Sequence, residues 1–182
     1  HRAPKPPRLV RFEVPIPPNL ISIDTPRISP DGQTLAFNAT DAEGKTQIWI
    51  RPLNALVAQP LAGTEGTSRP FWSPDSRFLA FFSGGKLKKI DVAGGPPTKI
   101  CDAPTGSDGP WSPEGRILFD GTGTDPIQRV SAAGGTPLPA VKQDASRKET
   151  QIGWPEFLPD GRHFIYMAIS QKVDDSAYRI GS

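Results

Sequence analysis

The sequence predicts an all-β fold, a β-propeller of four-stranded antiparallel blades of which the chain covers about four. The first observation is a turn motif that occurs four times, and the second is a strand ending in Gly-Gly that recurs at one place in the repeat. The motif copies are Ser29–Phe37, Ser73–Phe81, Ser112–Phe119 and Leu158–Tyr166. Their prolines lie 44, 39 and 46 residues apart. A repeat of roughly 40–45 residues made only of strands and turns is typical of propeller blades.

Each motif copy predicts a tight turn between two strands, because serine, proline and glycine at these spacings suit a type I turn. In the strand that follows, Leu79 and Phe81 alternate with Ala80, so both faces are apolar. Such a strand fits a blade packed between two neighbours. Two residues before each motif proline stands a bulky apolar side chain expected to fill the wedge between adjacent blades: Ile28, Trp72, Trp111 and Phe157.

The next strand of the unit also repeats. Leu87–Gly95 matches Ile127–Gly135, and each ends in a Gly-Gly pair suited to a hairpin turn. Gln47–Pro52 takes this place in the first unit and Ala177–Ile180 in the last. The pattern therefore predicts four strands in each unit. The expected organisation is a proline-rich linker at 1–8 and blade units at about 9–64, 65–104, 105–141 and 150–182.

The last unit stops after its third strand, whereas the alternating segment Leu9–Ile16 precedes the first unit without a blade of its own. This segment is a candidate for the missing strand of the last blade, with Phe12 and Val14 paired to the strand of Tyr178. Our hypothesis is instead a larger propeller, of which these residues form an arc or part of a composite assembly. Self-association through open blade edges is then expected.

Composition excludes several classes of function. A net charge of +2 gives no argument for a nucleic-acid partner, and no apolar run is long enough to span a membrane. The chain has no Gly-x-Ser-x-Gly elbow and no phosphate-binding loop, and its two histidines are His1 and His163. We therefore predict no catalytic residue, cofactor or metal ion. The single cysteine, Cys101, is expected to be a small buried side chain.

A binding site is predicted at one mouth of the central channel, where the innermost strands of all blades begin. Positions five and three residues before each motif proline break the repeat: Thr25 and Arg27, Arg69 and Phe71, Asp108 and Pro110, Trp154 and Glu156. Opposite charges beside an aromatic ring suit a peptide, a protein segment or a polar small molecule. The candidate binding residues are Arg27, Arg69, Asp108, Trp154 and Glu156. The alternative is that solvated positions of a repeat simply drift in sequence.

The Ser-Pro-Asp-Gly units resemble the WD40-like, TolB-type propeller repeat. The run Gly63–Phe82 looks more narrowly similar to the C-terminal propeller of bacterial serine/threonine protein kinases, as do Lys86–Pro97 and Trp154–Phe164. The resemblance covers about Arg8 to the end of the chain. It implies an extracytoplasmic propeller that follows a cytoplasmic kinase domain and one membrane helix. This chain contains no kinase motif, so kinase activity would belong only to the parent protein.

The resemblance therefore implies a non-catalytic sensor or interaction domain of a membrane-anchored kinase. Similar propellers also gate substrates in prolyl-oligopeptidase-like serine hydrolases, and free TolB-like propellers act as periplasmic scaffolds. A Gly-x-Ser-x-Gly elbow in the parent gene would favour the hydrolase. A kinase domain and membrane helix would favour the sensor, and a signal peptide without a kinase would favour the scaffold.

Overall fold

The computed structural model describes residue 13, residue 15 and the ranges 17–122 and 125–182. These residues form strands in four antiparallel sheets that follow one another along the chain. The predicted linker at 1–8, and the proposed pairing of Phe12 and Val14, lie outside the described residues. The carbonyl of Glu13, which is described, accepts a hydrogen bond from Arg51 in the first sheet.

Consecutive strands are hydrogen-bonded neighbours within each sheet, as the motif pattern predicts. The first sheet contains β1 (Leu20–Ile28), β2 (Thr34–Asp41), β3 (Thr46–Pro52) and β4 (Gln59–Pro60), and the second contains β5 (Ser68–Trp72), β6 (Phe78–Ser83), β7 (Lys86–Asp91) and β8 (Thr98–Asp102). The third contains β9 (Arg116–Phe119), β10 (Ile127–Ser131) and β11 (Leu138–Val141), and the fourth contains β12 (Glu149–Phe157), β13 (Phe164–Ser170) and β14 (Ala177–Gly181). Each sheet is one blade.

The repeated turn is held by its own side chains. Ser73 Oγ donates to Asp75 Oδ1 at 2.5 Å and accepts the Phe78 N–H at 2.8 Å. The hydrogen bond from Ser73 is the main reason why the pKa of Asp75 lies below its usual value. The fourth motif position is left-handed in each copy, with φ of 72° at Gly32 and 61° at Ser76. Glycine is favoured there because it has no Cβ to strain that conformation.

The blades stack through three apolar clusters, one between each pair of consecutive sheets. Leu79 and Phe81 of β6 pack against Ala36 of β2. On the opposite face of β6, Ala80 and Phe82 pack against the third blade. Leu118 of β9 contacts Phe164 and Tyr166 of the fourth blade. The prediction of strands buried on both faces is therefore confirmed for the inner blades.

The four wedge residues behave differently. Trp72 is 8% exposed between the first two blades, and Trp111 and Phe157 are half-buried against the clusters that join the next blades. The prediction was wrong for Ile28, which is 51% exposed. The other three wedge side chains pack toward the preceding blade, and the described residues contain no blade before that of Ile28.

Two blades have three strands in the described residues, and only the third blade thereby differs from the prediction. The inner segment of the third blade, Ser107–Trp111, hydrogen-bonds to β9 but contributes only an isolated bridge at Trp111. Pro110 has no N–H to donate to a regular ladder. The fourth blade has three strands in the described part of the chain. Within that part no helix could cross a membrane, since the helices are two 3-10 turns, Ala145–Arg147 and Val173–Asp175.

Candidate ligand site at the channel mouth

Three inner strands carry the same irregularity five residues before the motif proline. Thr25, Arg69 and Trp154 have positive φ values of 45°, 38° and 52°. Each coincides with a shift in pairing register, which marks a β-bulge. A left-handed conformation at a residue other than glycine costs on the order of 1–3 kcal/mol. Bulges re-aim side chains, so the repeat stores strain where the inner strands approach the channel.

These irregular segments meet around one cavity of about 450 Å³. All four blades contribute to its lining: Arg27 and Ile28, Phe71 and Trp72, Asp108 to Trp111, and Trp154 to Glu156. Four of the five candidate residues therefore line the cavity. The fifth, Arg69, reaches the same place from its edge, with Nη1 3.9 Å from Asp108 Oδ2. Thr25 is not part of the lining.

Asp108 is the electrostatic centre of the cavity. Arg27 Nη2 lies 3.2 Å from Asp108 Oδ2, and the Asp108 side chain is 17% exposed, whereas those of Arg27 and Arg69 are nearly half-exposed. Burial raises the pKa of Asp108 above its usual value, and the charge of Arg27 only partly opposes this effect. In such surroundings the ionised carboxylate loses more solvation free energy than its interactions with the two arginines regain.

Glu156 is the second acid of the cavity. Glu156 is exposed at the rim of the cavity, yet loss of solvent around its carboxyl raises the pKa of this group. The charge of Arg27 opposes the shift, and the charge of Asp108 adds to it. Among the described residues, the Glu156 carboxylate has neither a hydrogen bond nor an ion pair. The cavity thus combines Asp108, both of whose carboxylate oxygens accept hydrogen bonds, with Glu156, which has its full acceptor capacity free among the described residues.

Tryptophan forms much of the apolar wall. Three of the four tryptophans in the chain, Trp72, Trp111 and Trp154, line the cavity. The indole of Trp72 donates to the carbonyl of Arg27 at 3.0 Å and so ties the inner strand of the first blade to the second. Trp154 is 44% exposed and offers a ring face to a ligand. The arrangement can bind a molecule that carries both charge and a flat or apolar group.

Sequence reasoning missed three residues of this region. Trp72 and Trp111 were assigned to packing alone, although their motif position also places them beside the channel. Asp120 lies outside the repeated positions that predict the site, but it is 4% exposed and accepts hydrogen bonds from the backbone N–H groups of Asp108 and Trp154. The first two units have Asn38 and Phe82 at the equivalent end of the second strand, so the repeat gave no signal for an acid there.

Other reactive side chains lie away from the cavity. Cys101 is buried between the second and third blades. His163 Nδ1 lies 2.5 Å from Asp160 Oδ2 in the exposed turn of the last motif copy. Within the described part of the chain, no three His, Cys, Asp or Glu residues are grouped as metal ligands. The chemistry offered at the cavity is recognition by charge, hydrogen bonds and aromatic surface.

Comparison with solved structures identifies the architecture. A structure described as TolB from Agrobacterium tumefaciens superposes with a TM-score of 0.69 and 19% identity, covering 87% of this chain and 60% of that one. The chain has the β-propeller fold. The propeller also superposes on puromycin hydrolase with a TM-score of 0.64 and 20% identity, over 87% of this chain and 26% of the enzyme. At these identities the likeness shows the fold alone.

Sequence comparison gives a related result. The propeller is 24% identical to YuxL, an uncharacterized peptidase of Bacillus subtilis, over 87% of this chain and 31% of that protein. No protein-family model matches the chain. The chain spans about a third of YuxL and just over half of the TolB protein, so it corresponds to one part of these longer relatives.

Proposed function

We propose that this propeller is a non-catalytic binding module that takes a peptide or a polar small molecule at the channel mouth. The observation that carries the proposal is the meeting of Arg27, Asp108, Trp154 and Glu156 from three blades around one cavity. The propeller fold itself brings equivalent positions of the inner strands together, and what marks this place as a site is the chemistry that they carry: a cation, two acids and an aromatic ring. Pockets with a few convergent polar groups and aromatic walls are typical of ligand sites.

The unpaired groups of the cavity suggest what a ligand provides. Glu156 accepts hydrogen bonds, and the buried Nε of Arg27 has no partner among the described residues. The exposed ring of Trp154 packs against a flat or apolar part of the ligand. A molecule with both a donor and an acceptor next to such a part fits the cavity, as peptides and many polar metabolites do.

The parent protein is a second part of the proposal. The sequence resemblance favours the extracytoplasmic sensor of a membrane-anchored serine/threonine kinase. The similarity to YuxL and to the propeller of puromycin hydrolase favours the alternative, a propeller that controls substrate entry to a serine peptidase. A free TolB-like scaffold is the third candidate. Under all three, the propeller contributes recognition, and under the first two an attached domain contributes the chemistry.

The test of the binding site uses a defined library of short peptides and polar metabolites, screened by equilibrium dialysis and mass spectrometry. Trp154→Ala combined with Arg69→Ala, and Glu156→Gln alone, should each weaken capture of the retained compounds by about tenfold or more. Because these side chains are partly exposed, the melting temperature should hardly change.

Matched controls separate the cavity from general surface effects. Tyr178→Ala removes another exposed aromatic ring from the same blade, and Glu43→Gln removes an exposed acid from a loop. Both should leave capture unchanged. Equal loss in the control variants, or full retention in the cavity variants at unchanged stability, would overturn the site.

A further inference from the structure

A buried carboxylate connects the two blades that supply Asp108 and Trp154. Asp120 follows β9 and is 4% exposed. Its Oδ1 accepts hydrogen bonds from Ser107 Oγ at 2.8 Å and from the Asp108 N–H at 3.2 Å. Its Oδ2 accepts the Trp154 N–H at 2.9 Å. One side chain therefore satisfies two backbone donors from different blades.

Both backbone donors lie where the pairing of an inner segment is irregular. Trp154 occupies the left-handed bulge of β12, and Asp108 lies in the inner segment that Pro110 prevents from forming a full strand. Both hydrogen bonds are part-buried, and a backbone N–H that loses its acceptor away from water costs up to about 1–3 kcal/mol, so an acceptor at this point stabilises each segment. The Asp120 carboxylate is the acceptor for both.

We propose that Asp120 is the positioning residue of the channel-mouth site, which holds Asp108 and Trp154 at their relative orientation across the boundary between the third and fourth blades. This inference rests on the proposed binding function, but the hydrogen bonds that hold Asp108 and Trp154 can be tested without a ligand. Asp120 does not line the cavity and acts through the residues that do.

Gly153 adds independent support because it leaves room for this carboxylate. A Cβ at Gly153 would lie 2.9 Å from Asp120 Oδ2, closer than real Cβ contacts. The neighbouring blade therefore has no side chain where the acid reaches the Trp154 N–H. Gly153→Ala displaces the carboxylate without changing its charge, and Asp120→Asn changes its charge and replaces one acceptor oxygen with a donor group.

The experiment measures amide hydrogen exchange and carboxyl titration by NMR in the free protein. Gly153→Ala should increase exchange of the Trp154 N–H by about tenfold or more. Asp120→Asn keeps one acceptor oxygen, so it should increase exchange of the Trp154 N–H or the Asp108 N–H, whichever its amide nitrogen faces. Asp120→Asn should also lower the pKa of Asp108, because the charge of Asp120 contributes to raising it. Gly153→Ala retains that charge and should move the Asp108 pKa less. Asp102→Asn, an exposed acid paired only with Lys99, should change neither quantity.

The outcomes separate the two proposals. Unchanged exchange at Trp154 in both variants would overturn the positioning role and leave the binding site standing. Faster exchange at Trp154, with ligand capture that survives Glu156→Gln and the Arg69/Trp154 double variant, would overturn the binding site and leave the positioning role standing. If Asp120→Asn does not fold, Gly153→Ala provides the same Trp154 measurement with a smaller disturbance.

Discussion

At the scale of single residues, Asp108 shows how desolvation and ion pairing compete at the cavity. Two arginines approach it, yet its pKa is raised because burial has the larger effect. A carboxyl with a raised folded-state pKa binds its proton more tightly in the folded state than in the unfolded state. Folding stability from this group is therefore present at low pH and falls as the pH rises through its folded pKa.

Asp108→Asn should remove this dependence. The unfolding free energy of the variant relative to the wild type should rise as the pH increases from about 4 through the raised pKa of Asp108. The arginines stay charged over this range. Removal of the Asp108 charge also lowers the pKa of Glu156, which changes the relative stability in the same direction. Urea unfolding of both proteins between pH 3 and pH 7 measures the effect. A relative stability that is flat or falls with pH would contradict the assignment.

The burial of Cys101 was predictable from its place in a strand. It is 2% exposed, and burial raises the pKa of its thiol to about 11. The thiolate fraction at pH 8 is then about one in a thousand, so reaction with iodoacetamide should be very slow in the folded protein. Urea should make the reaction fast. Rapid labelling of the native protein would show that the second and third blades open readily around this side chain.

At the scale of elements, the wedge residues should differ in energetic weight according to burial. Trp72 is in the core and bonds to the carbonyl of Arg27, so Trp72→Ala should lower the unfolding free energy by about 3–5 kcal/mol. Trp111→Ala should cost less, because its ring is only half-buried. Ile28→Ala, at a side chain that is 51% exposed, should be close to neutral.

Chemical denaturation of the three variants measures this order. Equal losses for Trp72 and Trp111 would mean that the wedge position, and not the degree of burial, determines stability. A large loss for Ile28 would imply that another part of the protein covers it.

At the scale of the whole molecule, the fourth blade presents an apolar face to solvent. Ile165 and Met167 of β13 point away from the third blade and stand opposite Ile180 and Tyr178 of β14. Tyr178 and Ile180 are 73% and 69% exposed. Within the described residues β14 is also an unpaired edge. An apolar edge strand of this kind invites pairing with a second copy of the chain.

Lysine on this strand should therefore reduce self-association. Tyr178→Lys and Ile180→Lys are expected to shift the sedimentation of concentrated protein toward the monomer, since charge on an edge strand opposes pairing. Val173→Lys, at an exposed apolar side chain outside β14, is the matched control. A wild-type protein that stays monomeric at high concentration would contradict the expectation.

The sequence alone determined the blades. A turn whose serine and aspartate side chains accept its own backbone N–H groups is a local structure, so Ser73–Phe81 and its copies could be recognised without tertiary information. The alternation after each turn likewise predicted which strands are buried on both sides. The repeat also indicated where the candidate site lies, because equivalent positions of inner strands must approach the same channel.

Tertiary structure decided what the repeat could not express. Asp120 accepts a hydrogen bond from the backbone of Trp154, which lies 34 residues away in another blade. No residue type in the repeat predicts this partner. Ile28 occupies the same motif position as Trp72 but is exposed, because burial depends on whether a neighbouring blade is present. A periodic sequence predicts the structure of each blade and the contacts that every blade makes with a neighbouring blade. Exposure and contacts between blades at the cavity depend on which neighbour each blade has, and those neighbours are defined only in the assembled fold.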